Sequence, residues 1–234
     1  KSTITSIIMH VLKFANKDFD YLVGAKVNGF DFNIKLSDSP IIIIEGDEYL
    51  SSPLDKRPKF LNYDHHIVLV NGISWDHANV FPTLDIYLDQ FKKLINKTSK
   101  GGSIIIYDGD HNIDKIIINP EEGKSIIKYN IHKNTIKNDK TYLISNNKKI
   151  PIKIFGDHNM QNISGALKVI KELGVTENKF YQAIKSYSTP KIRLEKLKKL
   201  KNGIVFRDFA HSPSKVISTV KAVKKQFKNK LSCV

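Results

Sequence analysis

The stretch Pro40–Tyr49, PIIIIEGDEY, joins a short apolar run to a group of acidic residues. The isoleucine run Ile41–Ile44, set between turn residues, predicts a β-strand. The carboxylates of Glu45, Asp47 and Glu48 follow where that strand ends. Ligands of open α/β sheets bind beyond the carboxyl ends of strands, and Mg²⁺ prefers carboxylate oxygens. The stretch therefore predicts a strand that leads into a magnesium site, with a solvated acidic turn as the alternative.

Similar apolar runs between turn residues predict further strands on both sides of this one. These runs are DYLVGAKV (20–27), FDFNIKL (30–36), HIVLVNG (66–72) and GSIIIYDGD (102–110). Asn28-Gly29 favours a hairpin turn between the first two. A small antiparallel appendage is predicted from KSIIKYNI (124–131), KTYLIS (140–145) and KIPIKIFG (149–156).

Helices are predicted where apolar residues recur every three or four positions. The opening helix has one apolar face, formed by Ile4, Ile7, Ile8, Val11 and Leu12. The other predicted helices are TLDIYLDQFKKLINK (83–97), NMQNISGALKVIKELGV (159–175) and TENKFYQAIKSY (176–187), the last with Thr176 as its N-cap. Strands that alternate with helices indicate an α/β fold, with a mainly parallel central sheet flanked by helices.

The alternation breaks near Pro190, which predicts a domain boundary. Residues 1–189 are expected to form a central domain, and residues 190–234 to begin a second α/β domain. That second part has one predicted strand, one loop and one helix, which cannot form a domain alone. The C-terminal domain is therefore expected to be incomplete in this chain.

The composition of the 234 residues, 41% hydrophobic and 26% charged, is typical of a soluble globular protein. The apolar runs are far shorter than the roughly 20 residues of a membrane span, and no targeting segment is visible. We therefore expect a cytoplasmic protein without membrane contact. The single cysteine, Cys233, excludes a disulfide framework and a cysteine-based metal site. The net charge of +15 comes almost wholly from scattered lysines without interleaved aromatic residues, which argues against specific nucleic-acid binding.

Histidines next to acidic residues occur at three places in the chain. Asp76-His77 follows the strand of HIVLVNG, in the position that Glu45 has after its own strand. Two neighbouring strands that both end in ionisable groups favour a site at that edge of the sheet. Asp64–His66 precedes a strand and is interpreted as a surface turn. His111 lies in a loop without a second ligand at metal spacing.

Polar side chains also mark the start of a helix and the region after the predicted boundary. His158, Asn159 and Asn162 lie where the helix of NMQN begins. Asparagines there usually cap the helix, but two that are three residues apart can also present their amides to a ligand. The candidates after the boundary are Arg193, Asp208 and His211. The arginine is suited to bind phosphate, and the other two lie in a loop that follows a strand.

The chain opens with Lys1-Ser2-Thr3 directly before a helix. This order matches the end of a phosphate-binding loop, G-x-x-x-x-G-K-[ST], whose lysine reaches the terminal phosphates and whose hydroxyl binds Mg²⁺. The glycines of that motif are absent from this chain. Lys1-Ser2-Thr3 alone is therefore weak evidence for a phosphate-binding loop, and its position in the order of the other candidates is what supports that interpretation.

The ordered motifs KST, EGDEY, DH, GDHNMQN, KIRLE and RDFAHSP resemble the Mur ligase superfamily over essentially the whole chain. The resemblance implies an ATP- and Mg²⁺-dependent ligase that activates a carboxylate as an acyl phosphate, which an amine then attacks. Residues 45–91 are most similar to the branch that joins UDP-N-acetylmuramate to the murein tripeptide L-alanyl-γ-D-glutamyl-meso-diaminopimelate. The alternatives are the L-alanine-adding branch, a folylpolyglutamate-type substrate and, in another class, a basic non-catalytic module that binds nucleic acid or another polyanion.

The resemblance also implies roles for individual residues. Lys1, Glu45 and His77 correspond to catalytic residues, and Ser2, Glu45 and His77 to metal ligands. The implied nucleotide-binding residues are Lys1, Ser2, Thr3, His158, Asn159, Asn162, Arg193, Asp208 and His211. Phe91 stands where some members carry a carbamylated lysine, so no such group is expected. Relative to the family, the chain lacks the N-terminal UDP-sugar domain and most of the C-terminal domain, and the fragment alone is expected to be inactive.

Overall fold

The structure is a computed structural model, and it describes residues 1–75, 78–116, 123–201, 203–227 and 231–232. The chain forms two compact units, one from residues 1–45 and 131–234 and the other from residues 46–130. In chain order the elements are α1 (Ser2–Phe14), β1 (Asp20–Leu22), β2 (Ile34–Lys35), β3 (Ile42–Ile44), a 3₁₀ turn (Lys59–Asn62), β4 (Ile67–Val70), α2 (Leu84–Asn96), β5 (Ser103–Tyr107), α3 (His111–Asp114), β6 (Ser125–Tyr129), β7 (Asn134–Lys137), β8 (Lys140–Ser145), β9 (Lys148–Ile152), α4 (Asp157–Glu172), α5 (Glu177–Ile184), β10 (Glu195–Leu200), β11 (Gly203–Arg207) and α6 (Pro213–Phe227).

Helix α1 is the central helix of the first unit. The five apolar residues of its predicted face are all buried, and Ser6 and Met9 are buried as well. The helix packs against α4, α5 and strand β3. Its burial on more than one face explains why the segment is apolar for most of its length.

The first unit contains a small mixed sheet in the order β2-β1-β3. Strand β1 pairs with β2 in antiparallel and with β3 in parallel. A turn is present at Asn28-Gly29, because Gly29 has a φ of +82° and Phe30 N–H donates to Val27 O at 3.2 Å. It is not the predicted hairpin turn, since β1 ends at Leu22 and β2 begins only at Ile34. Since β1 and β3 are parallel, their carboxyl ends lie at the same edge of the sheet.

An antiparallel sheet of β7, β8 and β9 forms the predicted appendage, with one correction to its membership. The segment KSIIKYNI was expected in this appendage, but its strand β6 pairs in parallel with β5. The connection between β5 and β6 includes helix α3, and a crossover through a helix is typical of parallel strands. The strand β7, Asn134–Lys137, was not predicted, since its short polar sequence carries little strand signal.

The second unit is built on the parallel sheet β4-β5-β6. The central strand β5 is buried from Ser103 to Ile106, as its continuous apolar run predicts. Helix α2 contributes Tyr87, Leu88, Phe91 and Leu94 to the core of this unit. The predicted α/β fold with a parallel sheet and flanking helices is confirmed.

The C-terminal part contains the antiparallel hairpin β10–β11 and the helix α6. Only one strand was predicted here, because the lysine-rich β10 is almost entirely exposed and lacks a buried apolar face. Phe155, Leu194 and Ala222 form a small core beneath the hairpin, together with Phe206 and Phe227. Within the described ranges, no helix is both long and apolar enough to cross a membrane.

Candidate phosphate and metal site

The start of helix α1 and the end of strand β3 meet at one side-chain contact. The Ser2 hydroxyl donates a hydrogen bond of 2.8 Å to Glu45 Oε1. Ser2 is the first residue of α1 and is only 4% exposed. Two residues that were proposed as Mg²⁺ ligands from separate stretches of sequence therefore lie in direct contact.

The Glu45 side chain is held by the loop that follows β1 as well as by Ser2. The Glu45 N–H donates to Leu22 O at 2.8 Å, which extends the β1–β3 pairing by one residue. The second carboxylate oxygen, Oε2, accepts a 2.9 Å bond from Gly24 N–H. Sequence reasoning placed Gly24 inside a strand and missed this role. A glycine inside a predicted strand was the available signal, since it often marks a close backbone approach.

The oxygens of Ser2 and Glu45 fit part of a magnesium coordination shell. Hard cations take carboxylate and hydroxyl oxygens, and the hydroxyl keeps its lone pairs while it donates to Glu45. The first N–H groups of the 13-residue helix α1 favour an anion such as phosphate nearby. Lys1 is exposed and stands at the N-cap, and its carbonyl accepts from Thr5 N–H at 3.1 Å.

The third proposed metal ligand, His77, lies outside the described residues together with Asp76. Among the residues that the structure describes, no group of three His, Cys, Asp or Glu side chains is arranged to hold a metal ion. The described part of the site thus consists of one hydroxyl and one carboxylate.

Asp47 serves a local turn in the second unit. Its Oδ2 accepts a 2.8 Å bond from Lys59 Nζ, and its Oδ1 accepts from Tyr49 N–H at 3.1 Å. The Asp47 carboxylate raises the pKa of the Lys59 ammonium by this hydrogen bond. For Asp47, the alternative interpretation as part of an acidic turn is therefore the one that agrees with the structure.

The asparagines at the start of α4 lie on one helix face, as their spacing predicts, but neither is the N-cap. Helix α4 begins at Asp157 with Gly156 as its N-cap residue. Asn159 is buried, and its Nδ2 donates to Phe155 O at 2.8 Å. Asn162 lies one turn further, with its Nδ2 3.5 Å from Asn159 Oδ1. The two amides are adjacent, and one N–H of Asn159 is committed to the backbone.

The neighbouring His158 is half-buried where the start of α4 meets the C-terminal part of the first unit. Burial lowers the pKa of His158, and the carboxylates of Asp208 and Asp157 act in the opposite direction. Gly156 has a φ of +90°, and a Cβ there would lie 2.5 Å from the Ala222 Cβ and 3.1 Å from His158 Cε1. Position 156 therefore requires glycine for both its conformation and its close packing.

Arg193 and His211 both contact an aromatic residue that sequence reasoning missed. The Arg193 guanidinium is 5.6 Å from the centroid of the Phe209 ring, a cation–π contact. The His211 ring centroid is 4.8 Å from the same ring, and His211 Nδ1 is 3.0 Å from Phe209 O. Phe209 is 55% exposed. An exposed aromatic residue inside the RDFAHSP motif was the signal available in the sequence.

Asp208 connects three elements of the C-terminal part. Its Oδ1 accepts 3.0 Å bonds from the N–H groups of Leu194 and Phe209, and its Oδ2 accepts from the Thr219 hydroxyl. Both carboxylate oxygens are thus engaged by the protein itself. Its contact with a nucleotide stays a prediction.

Two of the other histidines occupy different environments. His65 is half-buried, its Nε2 lies 2.9 Å from Thr98 Oγ1, and burial lowers its pKa. The interpretation of Asp64–His66 as a surface turn is therefore wrong for His65. His111 is exposed, but it is the first residue of helix α3 and not a loop residue, because Asp110 caps that helix.

Comparison with known proteins identifies a family. The family model described as Mur ligase middle domain matches residues 1–170. A UDP-N-acetylmuramate–L-alanyl-γ-D-glutamyl-meso-2,6-diaminoheptandioate ligase of Haemophilus influenzae is 28% identical over 232 residues, which cover 96% of this chain and 51% of that protein. A UDP-N-acetylmuramate–L-alanine ligase of Clostridium botulinum is 30% identical over 248 residues, which cover 100% of this chain and 52% of that protein.

This chain also has the same fold as a solved structure. The murein peptide ligase of Psychrobacter arcticus has a TM-score of 0.71 at 21% identity, over 98% of this chain and 54% of that one. At this identity the likeness concerns the fold alone. The chain spans about half the length of the curated relatives it matches.

Proposed function

The chain belongs to the Mur ligase family, and we propose that it is the central ATP-binding part of a longer ligase. That ligase forms an amide bond between the carboxylate of UDP-N-acetylmuramate and the amine of L-alanyl-γ-D-glutamyl-meso-diaminopimelate. The reaction belongs to peptidoglycan recycling and takes place in the cytoplasm. The parts of the same polypeptide that lie outside this chain bind the UDP-sugar and the peptide.

The observation that carries this proposal is the contact between Ser2 and Glu45. A buried serine at a helix start and a carboxylate at a strand end come together from positions 43 residues apart. Such a pair is suited to hold Mg²⁺ beside the phosphates of a nucleotide. Ser2 and Glu45 would hold the ion in this proposal, and His77 would complete its protein ligands.

Each candidate residue has a defined task in the proposed reaction. Bound Mg²⁺–ATP supplies the phosphoryl group that converts the substrate carboxylate to an acyl phosphate. Lys1 neutralises the terminal phosphates, and the free N–H groups of α1 orient them. The remaining candidates also bind the nucleotide. Thr3 lies beside Ser2, the side chains of His158, Asn159 and Asn162 line the adenine and ribose, and Arg193, Asp208 and His211 reach the nucleotide from the C-terminal part. The acceptor amine attacks the acyl carbon, and phosphate leaves.

The acceptor is the least constrained element of the proposal. The relative that acts on the tripeptide is 28% identical, and the relative that acts on L-alanine is 30% identical. We place the chain with the tripeptide ligases because of the resemblance of residues 45–91. The second candidate is the L-alanine ligase, which uses the same nucleotide and metal residues.

The test uses the full-length protein that contains this chain. Phosphate release is measured with ATP, Mg²⁺ and UDP-N-acetylmuramate, with the tripeptide in one reaction and L-alanine in the other. The mass of each product confirms the bond formed. We expect turnover with the tripeptide only. Turnover with L-alanine alone would move the protein to the second candidate, and no turnover with either would contradict both.

The fragment gives a further expectation. Residues 1–234 alone should be inactive in this assay and should bind ATP poorly, because the phosphate-loop glycines are not part of the chain. Full activity of the isolated fragment would contradict the proposal that the other parts bind the substrates.

A further inference from the structure

Two buried hydroxyl groups lie between helix α1 and the segment that follows α5. Ser6 is 0% exposed and Tyr187 is 2% exposed, and their oxygens are 2.7 Å apart. The Ser6 hydroxyl donates a 2.8 Å bond to the carbonyl of Thr3. The Tyr187 hydroxyl is 3.2 Å from the same carbonyl.

The donor and the acceptor of each hydrogen bond between these groups can be assigned. Each hydroxyl carries one hydrogen, so the two shortest contacts form a chain in which Tyr187 donates to Ser6 and Ser6 donates to Thr3 O. Burial raises the pKa of Tyr187, and the phenol therefore keeps its hydrogen at neutral pH. The chain ends at a carbonyl in the first turn of α1.

Packing alone does not require these polar atoms. A phenylalanine and an alanine would fill nearly the same space without the cost of burying two hydroxyls. The hydroxyls add a fixed geometry, because a satisfied buried polar network specifies one arrangement of the elements it joins. Here it specifies the first turn of α1, which begins with Ser2.

A second contact ties the same segment to the loop that holds Glu45. The Asn28 side chain donates to Ser188 Oγ at 3.1 Å and to Thr189 O at 3.0 Å. Asn28 lies in the connection between β1 and β2, and the same connection provides the Gly24 N–H that binds Glu45. Residues 187–189 are therefore hydrogen-bonded to helix α1, which carries Ser2, and to the connection that carries Gly24.

We propose that Tyr187 is a positioning residue that sets the place of the Ser2 hydroxyl beside Glu45 through Ser6 and the Thr3 carbonyl. The inference rests on the proposed function, in which Ser2 and Glu45 hold the Mg²⁺ that accompanies the nucleotide. The hydrogen bonds of the Tyr187 hydroxyl go to Ser6 and to the Thr3 carbonyl. This hydroxyl acts through the geometry of the helix turn.

The test compares three variants of the full-length protein with a matched control. The variants are Tyr187→Phe, Ser6→Ala and the double substitution. The control is Tyr181→Phe, which removes a hydroxyl that lies 2.8 Å from His132 Nε2 and takes no part in the bonds of Ser6 and Thr3. The readouts are binding of adenylyl imidodiphosphate with Mg²⁺, the KM for ATP, the thermal midpoint and amide exchange of residues 2–6.

We expect Tyr187→Phe to weaken Mg²⁺-dependent binding of the analogue by about fivefold, the change that one lost hydrogen bond produces. The KM for ATP should rise by a similar factor, and amide exchange in the first turn should accelerate. The double substitution should add little to Ser6→Ala, since the two groups form one chain. Tyr181→Phe should lower the thermal midpoint and leave binding and first-turn exchange at the wild-type level.

The outcomes separate this inference from the proposed function. Wild-type binding of the analogue without ligase turnover would overturn the proposed function, while the effect of Tyr187→Phe on binding would still decide the inference. If Tyr187→Phe and Tyr181→Phe lower the thermal midpoint alike and both bind normally, the Tyr187 hydroxyl is merely structural and the inference is wrong. Unchanged exchange of residues 2–6 in Tyr187→Phe would overturn it without any nucleotide.

Discussion

Ser2 and Glu45 stand 43 positions apart in the sequence, and a hydrogen bond of 2.8 Å joins their side chains. The contact follows from topology, because α1 packs on the sheet and the parallel strands β1 and β3 end at one edge. Gly24 fixes the other carboxylate oxygen at 2.9 Å. The geometry of the candidate metal site is thus set by backbone elements that the apolar pattern specifies.

The charge of Glu45 should be essential to turnover in the full-length protein. Glu45→Gln keeps an oxygen that accepts from Ser2 or Gly24 but removes the charge that a divalent cation requires. We expect Mg²⁺-dependent phosphate release to fall by about two orders of magnitude or more. The thermal midpoint should stay near the wild-type value.

A matched control for this prediction is Asp55→Asn, in a surface loop where Asp55 pairs with Arg57 at 2.8 Å. This variant should keep wild-type turnover. Full activity of both Glu45→Gln and Glu45→Ala would show that the metal assignment is wrong.

Replacement of Ile192 with glycine should stabilise the folded protein. Its φ of 59° is unfavourable for a β-branched residue, and its side chain is exposed. Ile192→Gly should therefore raise the free energy of unfolding by about 1 kcal/mol. Leu197→Gly, at an exposed position of strand β10, should lower it, since glycine weakens a strand. Denaturant unfolding of both variants measures the difference, and a loss of stability in Ile192→Gly would count against strain at this turn.

His132 should make folding stability depend on pH below about 6.5. Burial lowers the pKa of His132, and its ring lies 2.8 Å from the Tyr181 hydroxyl and 2.9 Å from Lys133 O. Above pH 6.5 both the folded and the unfolded state hold a neutral ring. As the pH falls, the unfolded state binds the proton first, so the free energy of unfolding decreases until the pH passes the lowered folded pKa.

Replacing this histidine should reduce that pH dependence. His132→Gln should lose less stability than the wild type between about pH 7.5 and pH 5.5 in denaturant unfolding. Some dependence should remain, because burial also lowers the pKa of other histidines, namely His10, His65 and His158. Ile86→Ala, an exposed substitution that removes no titratable group, should behave like the wild type. Equal slopes in all three proteins would refute the role of His132.

The core of the second unit should depend on strand β5. Ile106 is 1% exposed in this strand, so Ile106→Ala should lower the free energy of unfolding by about 2–5 kcal/mol through lost burial and a residual cavity. Ile86 lies on the exposed face of α2, and Ile86→Ala should change the value by less than about 0.5 kcal/mol. Similar costs for the two variants would contradict the assignment of the buried face.

The apolar periodicity predicted most of the fold. The buried face of α1 was predicted correctly, because burial of an amphipathic helix leaves a clear three-to-four spacing. The N-cap Thr176 was also correct, since its hydroxyl accepts from Lys179 N–H. The pairing partner of β6 was wrong, because an apolar run does not state which strand it lies beside. Strand β10 was missed because an exposed hairpin strand needs no apolar face.

The candidate site was predictable in composition and less so in its contacts. The adjacency of Ser2 and Glu45 follows from matched motifs, yet their hydrogen bond depends on packing that no local pattern encodes. The support from Gly24 and Tyr187 was missed because one acts through a backbone N–H and the other reads as an ordinary core aromatic residue. His77 falls outside the described residues, so its role stays a prediction.

Asp208 binds the start of β10, the end of β11 and helix α6 through a single carboxylate. The turn that carries Arg193 and the loop that carries His211 are therefore anchored to the same carboxylate. Loss of that carboxylate would remove an anchor of both segments and of helix α6 at once.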